Sequence, residues 1–215
     1  MKKQLLVLDK EIELLKKDSF VKGIMLIGSV SYGTANKYSD LDLIVLCDKD
    51  EFYTKEVDGI TVEIHYSKYE TLLHKLESNP IEVYKYLYSK IIFDNGEYAK
   101  LYNTAKDIYD NYKTSNKERE SIAYWLSSTK SKLTCAINCN DLTRISYLVA
   151  TNTWKLLEGI YAINDKPVPP SSLVFNKHKS LELPIDNWFE RLLTEDTLSR
   201  ADTMIKIIDI ICSKL

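Results

Sequence analysis

Leu26-Ile27-Gly28-Ser29-Val30-Ser31-Tyr32-Gly33-Thr34-Ala35, continued by Asn36-Lys37-Tyr38-Ser39-Asp40-Leu41-Asp42-Leu43-Ile44-Val45, is the stretch that decides the fold. Its apolar opening reads as the end of a buried strand over about 21–27 that stops at Gly28-Ser29. A glycine there has no Cβ, so the backbone can approach a bound group closely. The next few residues can start a helix whose free N–H groups face an anion. After another turn the chain enters a second strand, about 41–47, with Asp40 and Asp42 at i and i+2. Alternate residues of an extended strand share a face, so both carboxylates are expected to project together, about 7 Å apart at Cα.

Two carboxylates at one strand end repel each other and are costly when nothing compensates them. A hard divalent cation that keeps some water and takes phosphate oxygens relieves that cost. The turn Val57-Asp58-Gly59-Ile60 leads into, or lies within, a third expected strand that carries Glu63 with Thr61 and His65 on its own face. If this strand neighbours the second, Glu63 completes a set of three carboxylates. With triphosphate oxygens, such a set can hold two Mg²⁺ ions roughly 3.5–4 Å apart. Asp58 is the rival third carboxylate, but it falls in the turn signal.

Gly28-Ser29, Gly33 and Ser39-Asp40-Leu41-Asp42-Leu43 resemble the GS…G…SDxDL signature of the polymerase β-type nucleotidyltransferase superfamily. The chain is most similar to its small bacterial branch, which includes antibiotic and minimal nucleotidyltransferases. The specific match spans about residues 24–66, with looser agreement through Asp94. The resemblance implies that Gly28, Ser29, Gly33 and Ser39 bind the nucleotide and that Asp40 and Asp42 bind both metals. It assigns Glu63 to the second metal, near the attacking hydroxyl. One departure stands out. Many members carry Arg or Lys between Gly-Ser and the next Gly, where this chain has Val30-Ser31-Tyr32. Phosphate charge must then be met by metal, backbone N–H groups, or Lys from the helical half.

Outward from the motif, the expected order is a helix over 3–18, the three strands, helices near 67–78 and 80–89, a short strand 90–94 and a helix 97–112. Lys113–Lys117 is polar throughout and marks the expected boundary. Beyond it the expected segments are helical: about 118–139, 141–163, a shorter pair near 171–192, and 196–213, interrupted by a proline-rich loop at 164–170. The fold class expected is therefore α+β: a mixed sheet flanked by helices in a nucleotidyltransferase domain (1–113), followed by an all-α bundle (114–215) that binds substrate. Trp125 and Trp154 are expected to anchor the core of that bundle.

The 215 residues carry 29 basic and 31 acidic side chains, a net charge of −2, which argues against a protein that coats nucleic acid by bulk electrostatics. Only four of the basic residues are Arg, so bidentate phosphate clamps are few. Four Cys are too few for a disulfide framework at this length. No apolar run is long enough to span a bilayer, and acidic residues interrupt the first helix as a secretory signal, so a cytoplasmic location with no membrane partner is expected. The helical half is also similar to HEPN-type bundles. The ribonuclease motif of those bundles is missing, since the fifth residue after Arg144 is Val149.

These features together predict Mg²⁺-dependent transfer of a nucleoside monophosphate from a triphosphate, ATP first, to the hydroxyl of a small molecule, with release of pyrophosphate. The acidic balance suits a cationic, aminoglycoside-like acceptor and disfavours a polynucleotide; a homodimer is compatible with it. Two alternatives stand beside this reading: nucleotidylation of a protein partner, and a nucleotide-binding module without turnover. Within the helical half, Glu118 and Glu120 are the candidate bases, and Lys130, Lys132 and Lys155 the candidate phosphate contacts.

Overall fold

The structure is a computed structural model that describes residues 2–181 and 183–215, the side chains at 2 and 180 excepted. Contacts divide the chain into two units. One runs through Asn111 and also takes Pro169–Leu173; the other holds Tyr112–Val168 and Val174–Leu215.

The first unit begins with α1 (Lys2–Leu15), β1 (Gly23–Ile27), α2 (Gly28–Tyr32) and β2 (Leu41–Leu46). It continues with β3 (Glu51–Val57), β4 (Ile60–Ser67), α3 (Tyr69–Ser78), α4 (Val83–Leu87), β5 (Lys90–Asp94) and α5 (Glu97–Asp110). The five strands form one mixed sheet in the order β3-β4-β2-β1-β5, with only β2 and β4 parallel.

The central strands are apolar on both faces, which is why they read as continuous hydrophobic runs. Leu41, Leu43 and Val45 of β2 join Val62 and Ile64 of β4 in a cluster with Val7, Leu8 and Ile12 of α1. Ile44 and Leu46, pointing the other way, pack with α3, α4 and α5 through Leu76, Val83, Tyr84 and Leu101. The chain thus sandwiches its sheet between one helix and three.

Tyr98 pins α5 to this sheet. Its hydroxyl donates to the Ile44 carbonyl oxygen at 2.8 Å, and its ring lies against Gly23, where a Cβ would come within 2.7 Å of it. Tyr98→Phe keeps the ring and deletes one buried hydrogen bond, so we expect a loss of about 1–2 kcal/mol, read by urea denaturation.

β3 is the strand that sequence reasoning did not assign. Glu51-Phe52-Tyr53-Thr54-Lys55-Glu56-Val57 is mostly exposed along its length because it is an edge strand, and its charged residues blunt that edge. The Asp58-Gly59 signal joins β3 to β4 as a two-residue hairpin, with φ of 52° and 69°, both positive as a type I′ turn requires.

The second unit holds α6 (Asn116–Asn138), α7 (Leu142–Ile163), α8 (Ser171–Lys177, whose first three residues belong to the first unit), α9 (Trp188–Thr194) and α10 (Thr197–Lys214). Leu126, Leu133, Leu156, Ile160, Met204 and Ile207 form the centre of its core. Gly159 of α7 allows a close helix crossing, since a Cβ there would meet Ile211 and Leu126 at 3.0 Å. The tryptophan expectation is corrected. Trp125 and Trp154 are 52% and 42% exposed, and Trp125 instead holds Asn152 by an Nε1–H bond of 3.0 Å to its Oδ1. No helix among the described residues is long and apolar enough to cross a membrane.

Candidate active site

The site forms where β1 ends, β2 begins and β4 passes alongside. In the register, Asp42 lies opposite Ile27 of β1 on one side and Glu63 of β4 on the other. Register partners share a face, so Asp42 and Glu63 stand side by side on the face that Ile44 and Leu46 bury farther along. Thr54 of β3 continues this row across the sheet, opposite Glu63. The next row is Ile44, His65 and Phe52; the His65 and Phe52 rings meet with centroids 4.7 Å apart, tilted by 41°.

Asp40 precedes β2 rather than lying within it, because the strand begins at Leu41. Its charge nevertheless reaches Asp42. Burial first, and then the neighbouring Asp40 and Glu63 carboxylates, push the Asp42 carboxyl up from 3.8 to about 6. Anions gathered this closely favour a cation among them. Among the described residues no ready-made cluster of three His, Cys, Asp or Glu ligands exists, so the carboxylates are a partial ligand set. Partial sets of oxygen ligands suit Mg²⁺, which keeps several waters and takes substrate phosphate oxygens. The residues present therefore fit a hard divalent ion.

Gly28 follows β1 directly at φ 70°. A Cβ there would sit 1.9 Å from Asp42 Oδ2, so the glycine makes room for the carboxylate as much as for a ligand. α2 is a single short turn, closed by Gly33 in the left-handed region at φ 74°, whose N–H returns to the Ser29 carbonyl oxygen. Ser29 Oγ is buried and, among the described residues, finds no hydrogen-bond partner. A buried hydroxyl left unpaired beside a carboxylate site points to a missing acceptor such as a phosphate oxygen.

Ser39 is engaged otherwise. Its Oγ accepts from the Asn36 N–H at 2.9 Å and closes the turn that delivers Asp40. Gln4 of α1, which sequence reasoning did not single out, clamps the same turn from beneath: its Nε2 donates to the Asn36 carbonyl oxygen at 2.9 Å and to that of Ser39 at 3.4 Å. Among the described residues it is, with Glu11, one of two polar residues buried on the mainly apolar face of α1, which was its only trace in the sequence.

Asp58 is removed from contention. It lies in the hairpin turn and pairs with Lys10 at 2.7 Å, which lowers its pKa. Glu118 in the second unit completes a capping box with Ser115, a role in starting α6. Lys130 and Lys155 are paired with Asp209 and Glu158.

A carboxylate pair at the start of a central strand, a third carboxylate on the parallel neighbour and a Gly-Ser turn at the end of β1 thus meet at one place on the sheet. The chain belongs to the nucleotidyltransferase domain family of the polymerase β-type superfamily: the family model matches residues 8–152, from α1 into α7, and the protein is a nucleotidyltransferase. Members of this family generally use a divalent metal. Among solved structures, the chain is similar to a nucleotidyltransferase-like protein from Exiguobacterium sibiricum, at 14% identity and a TM-score of 0.43, over 94% of this chain and 71% of that one. It is also similar to a spectinomycin adenyltransferase from Enterococcus faecialis, crystallised with ATP and spectinomycin, at 12% identity and a TM-score of 0.33, over 97% and 99% of the two chains. With identities this low and both scores below 0.5, membership rests on the family model. No curated protein matches the chain at a significant level.

Proposed function

We propose that the protein transfers a nucleoside monophosphate, AMP from ATP, to the hydroxyl of a small cytoplasmic molecule and releases pyrophosphate. The observation that carries this reading is the pairing of Asp42 with Glu63 across β2 and β4, together with a buried Ser29 hydroxyl that lacks a partner right after the Gly28 that lies against Asp42.

In this reading Asp40, Asp42 and Glu63 hold two Mg²⁺ ions. Once bound, the ions lower the pKa of the acceptor hydroxyl and neutralise charge on the departing pyrophosphate. Ser29 Oγ donates to a phosphate oxygen, Gly28 lets that phosphate approach the backbone, and Gly33 and Ser39 shape the turns on either side. The acceptor hydroxyl releases its proton to solvent as its oxygen bonds to the α-phosphorus and the bond from that phosphorus to the oxygen bridging to the β-phosphate breaks, the bridging oxygen leaving with pyrophosphate. The first 113 residues supply this chemistry, and residues 114–215 bind the acceptor.

The net charge of −2 and the acidic site favour a cationic acceptor, so spectinomycin and aminoglycosides belong in the trial panel. The test is pyrophosphate release from ATP with Mg²⁺, acceptor by acceptor, with mass spectrometry of the products. Acceptor-dependent release with a mass gain of one AMP on the small molecule supports the reading. An AMP adduct on a protein moves the acceptor to a partner chain. ATP binding without release across the panel and in cell extract would leave only a binding module.

A further inference from the structure

We propose that Lys85 on α4 supplies the positive charge for the nucleotide's polyphosphate that the Gly28–Gly33 loop lacks, leaving its present partner Glu82 when the nucleotide enters. This rests on the nucleotide-transfer reading above and adds to it a residue from the catalytic unit itself. The sequence alone leaves this charge to metal, backbone N–H groups or Lys from the helical half.

Between Gly28 and Asp42 the only basic residue is Lys37, which is exposed with its Nζ 4.7 Å from the centre of the Tyr38 ring. A triphosphate would therefore arrive among three carboxylates with little local positive charge to receive it. α4 is fastened to this loop at two points. Ser31 Oγ of α2 donates to the Tyr88 carbonyl oxygen at the end of α4, at 2.8 Å. The Tyr32 ring packs into the apolar cluster that contains Val83, Tyr84, Leu87 and Tyr88.

Lys85 lies three residues before Tyr88, and its Nζ is 2.7 Å from Glu82 Oε2. The Lys85 and Glu82 side chains are 36% and 16% exposed, so the pair is neither free in solvent nor sealed in the core. Burial chiefly raises the pKa of the Tyr32 hydroxyl, a backbone hydrogen bond with Gly28 opposes this, and Asp42 and Glu82 raise it further, so the Glu82 end of the pair lies close enough to act on the loop.

An i,i+3 ion pair that is partly open to water contributes little, so its exchange for a polyphosphate oxygen is favourable. Lysine suits the task as a compact charge on a flexible stem that can swing from one partner to another. Glu82 then acts as a competitor that holds the ammonium in place while the site is empty.

The experiment is calorimetric titration of the full chain, with Mg²⁺ in excess, using the α,β-methylene analogue of ATP and, separately, AMP. Lys85→Gln is expected to weaken the triphosphate analogue about 10-fold or more while AMP affinity stays within about 2-fold. Lys85→Arg should recover part of the loss, and Glu82→Gln should tighten the analogue by removing the competing carboxylate. Equal affinity of wild type and Lys85→Gln for the analogue would overturn the assignment, as would a parallel fall in AMP affinity or a loss that follows Lys37→Gln instead. If the wild type itself fails to bind the analogue, the nucleotide-transfer reading falls and takes this one with it.

Discussion

Asp42→Asn is expected to abolish nucleotidyl transfer, by about 10³-fold or more, and at the same time to make the metal-free protein more stable. The first effect follows from removing one of the two charges on the carboxylate pair that opens β2; loss of several kcal/mol of charge stabilisation in a transition state is worth that factor. The second follows from electrostatics of the free protein. The Asp42 carboxyl is held at about 6 instead of 3.8 by burial and by Asp40 and Glu63.

Such a rise corresponds to about 3 kcal/mol for a fully enclosed group. The side chain is partly open to solvent, and screening reduces the figure to roughly 1 kcal/mol. Because the folded protein holds this proton more tightly than the unfolded chain, the contribution is fully present below about pH 4 and is lost as pH rises through about 6. Melting curves in EDTA should show wild type gaining on Asp42→Asn by about 2–4 °C between pH 7 and pH 5. Added Mg²⁺ should raise the melting temperature of wild type more than that of the variant. A variant that keeps full pyrophosphate release sinks the metal assignment; one that melts lower than wild type at pH 7 in EDTA sinks the account of the charge cluster.

The elements that proved legible were those whose local chemistry and burial agree. β1, β2 and β4 are hydrophobic runs bounded by Gly28-Ser29, Asp40 and Asp58-Gly59, and they occupy the middle of the sheet where such runs must go. β3 escaped because an edge strand needs no apolar face; Glu51, Lys55 and Glu56 are what a strand in solvent carries. The return of Pro169–Leu173 to the first unit left no local trace either, since Leu173 joins the sheet-side cluster through a contact no periodicity encodes.

The site divides along the same line. Asp40, Asp42 and Gly28 fall within one stretch of fifteen residues and were readable from spacing. Glu63 required guessing which strands are neighbours, and the register shows them side by side. Gln4 and the Lys85–Glu82 pair come from helices far along the chain, and only their folding against the Asn36–Ser39 turn and the Ser31–Tyr88 bond gives them meaning.

Gly28→Ala should nearly match Asp42→Asn in its effect on transfer, for a steric reason. At φ 70° an L-residue pays about 1–2 kcal/mol, and the new methyl would lie 1.9 Å from Asp42 Oδ2, 2.8 Å from its Cγ and 3.2 Å from its Cβ. Close contact with three atoms of one short side chain cannot be relieved by turning its tip. Either the Asp42 carboxylate leaves the row it shares with Glu63, or the end of β1 moves away from it. Both outcomes misplace the proposed metal ligand, and we expect turnover to fall by about 10²-fold or more.

Gly33→Ala is the informative comparison, because Gly33 has almost the same φ of 74° yet nothing lies within 4 Å of where its Cβ would be. It should cost backbone strain alone, about 1 kcal/mol in urea denaturation, with turnover within a few-fold of wild type. The contrast can be sharpened in the Asp42→Ala background, where the carboxylate that collides with the Gly28 methyl is gone. There the stability cost of Gly28→Ala should shrink toward that of Gly33→Ala, a coupling of at least about 1 kcal/mol in a double-mutant cycle. Additive losses in that cycle would mean that Gly28 serves the turn and not the carboxylate.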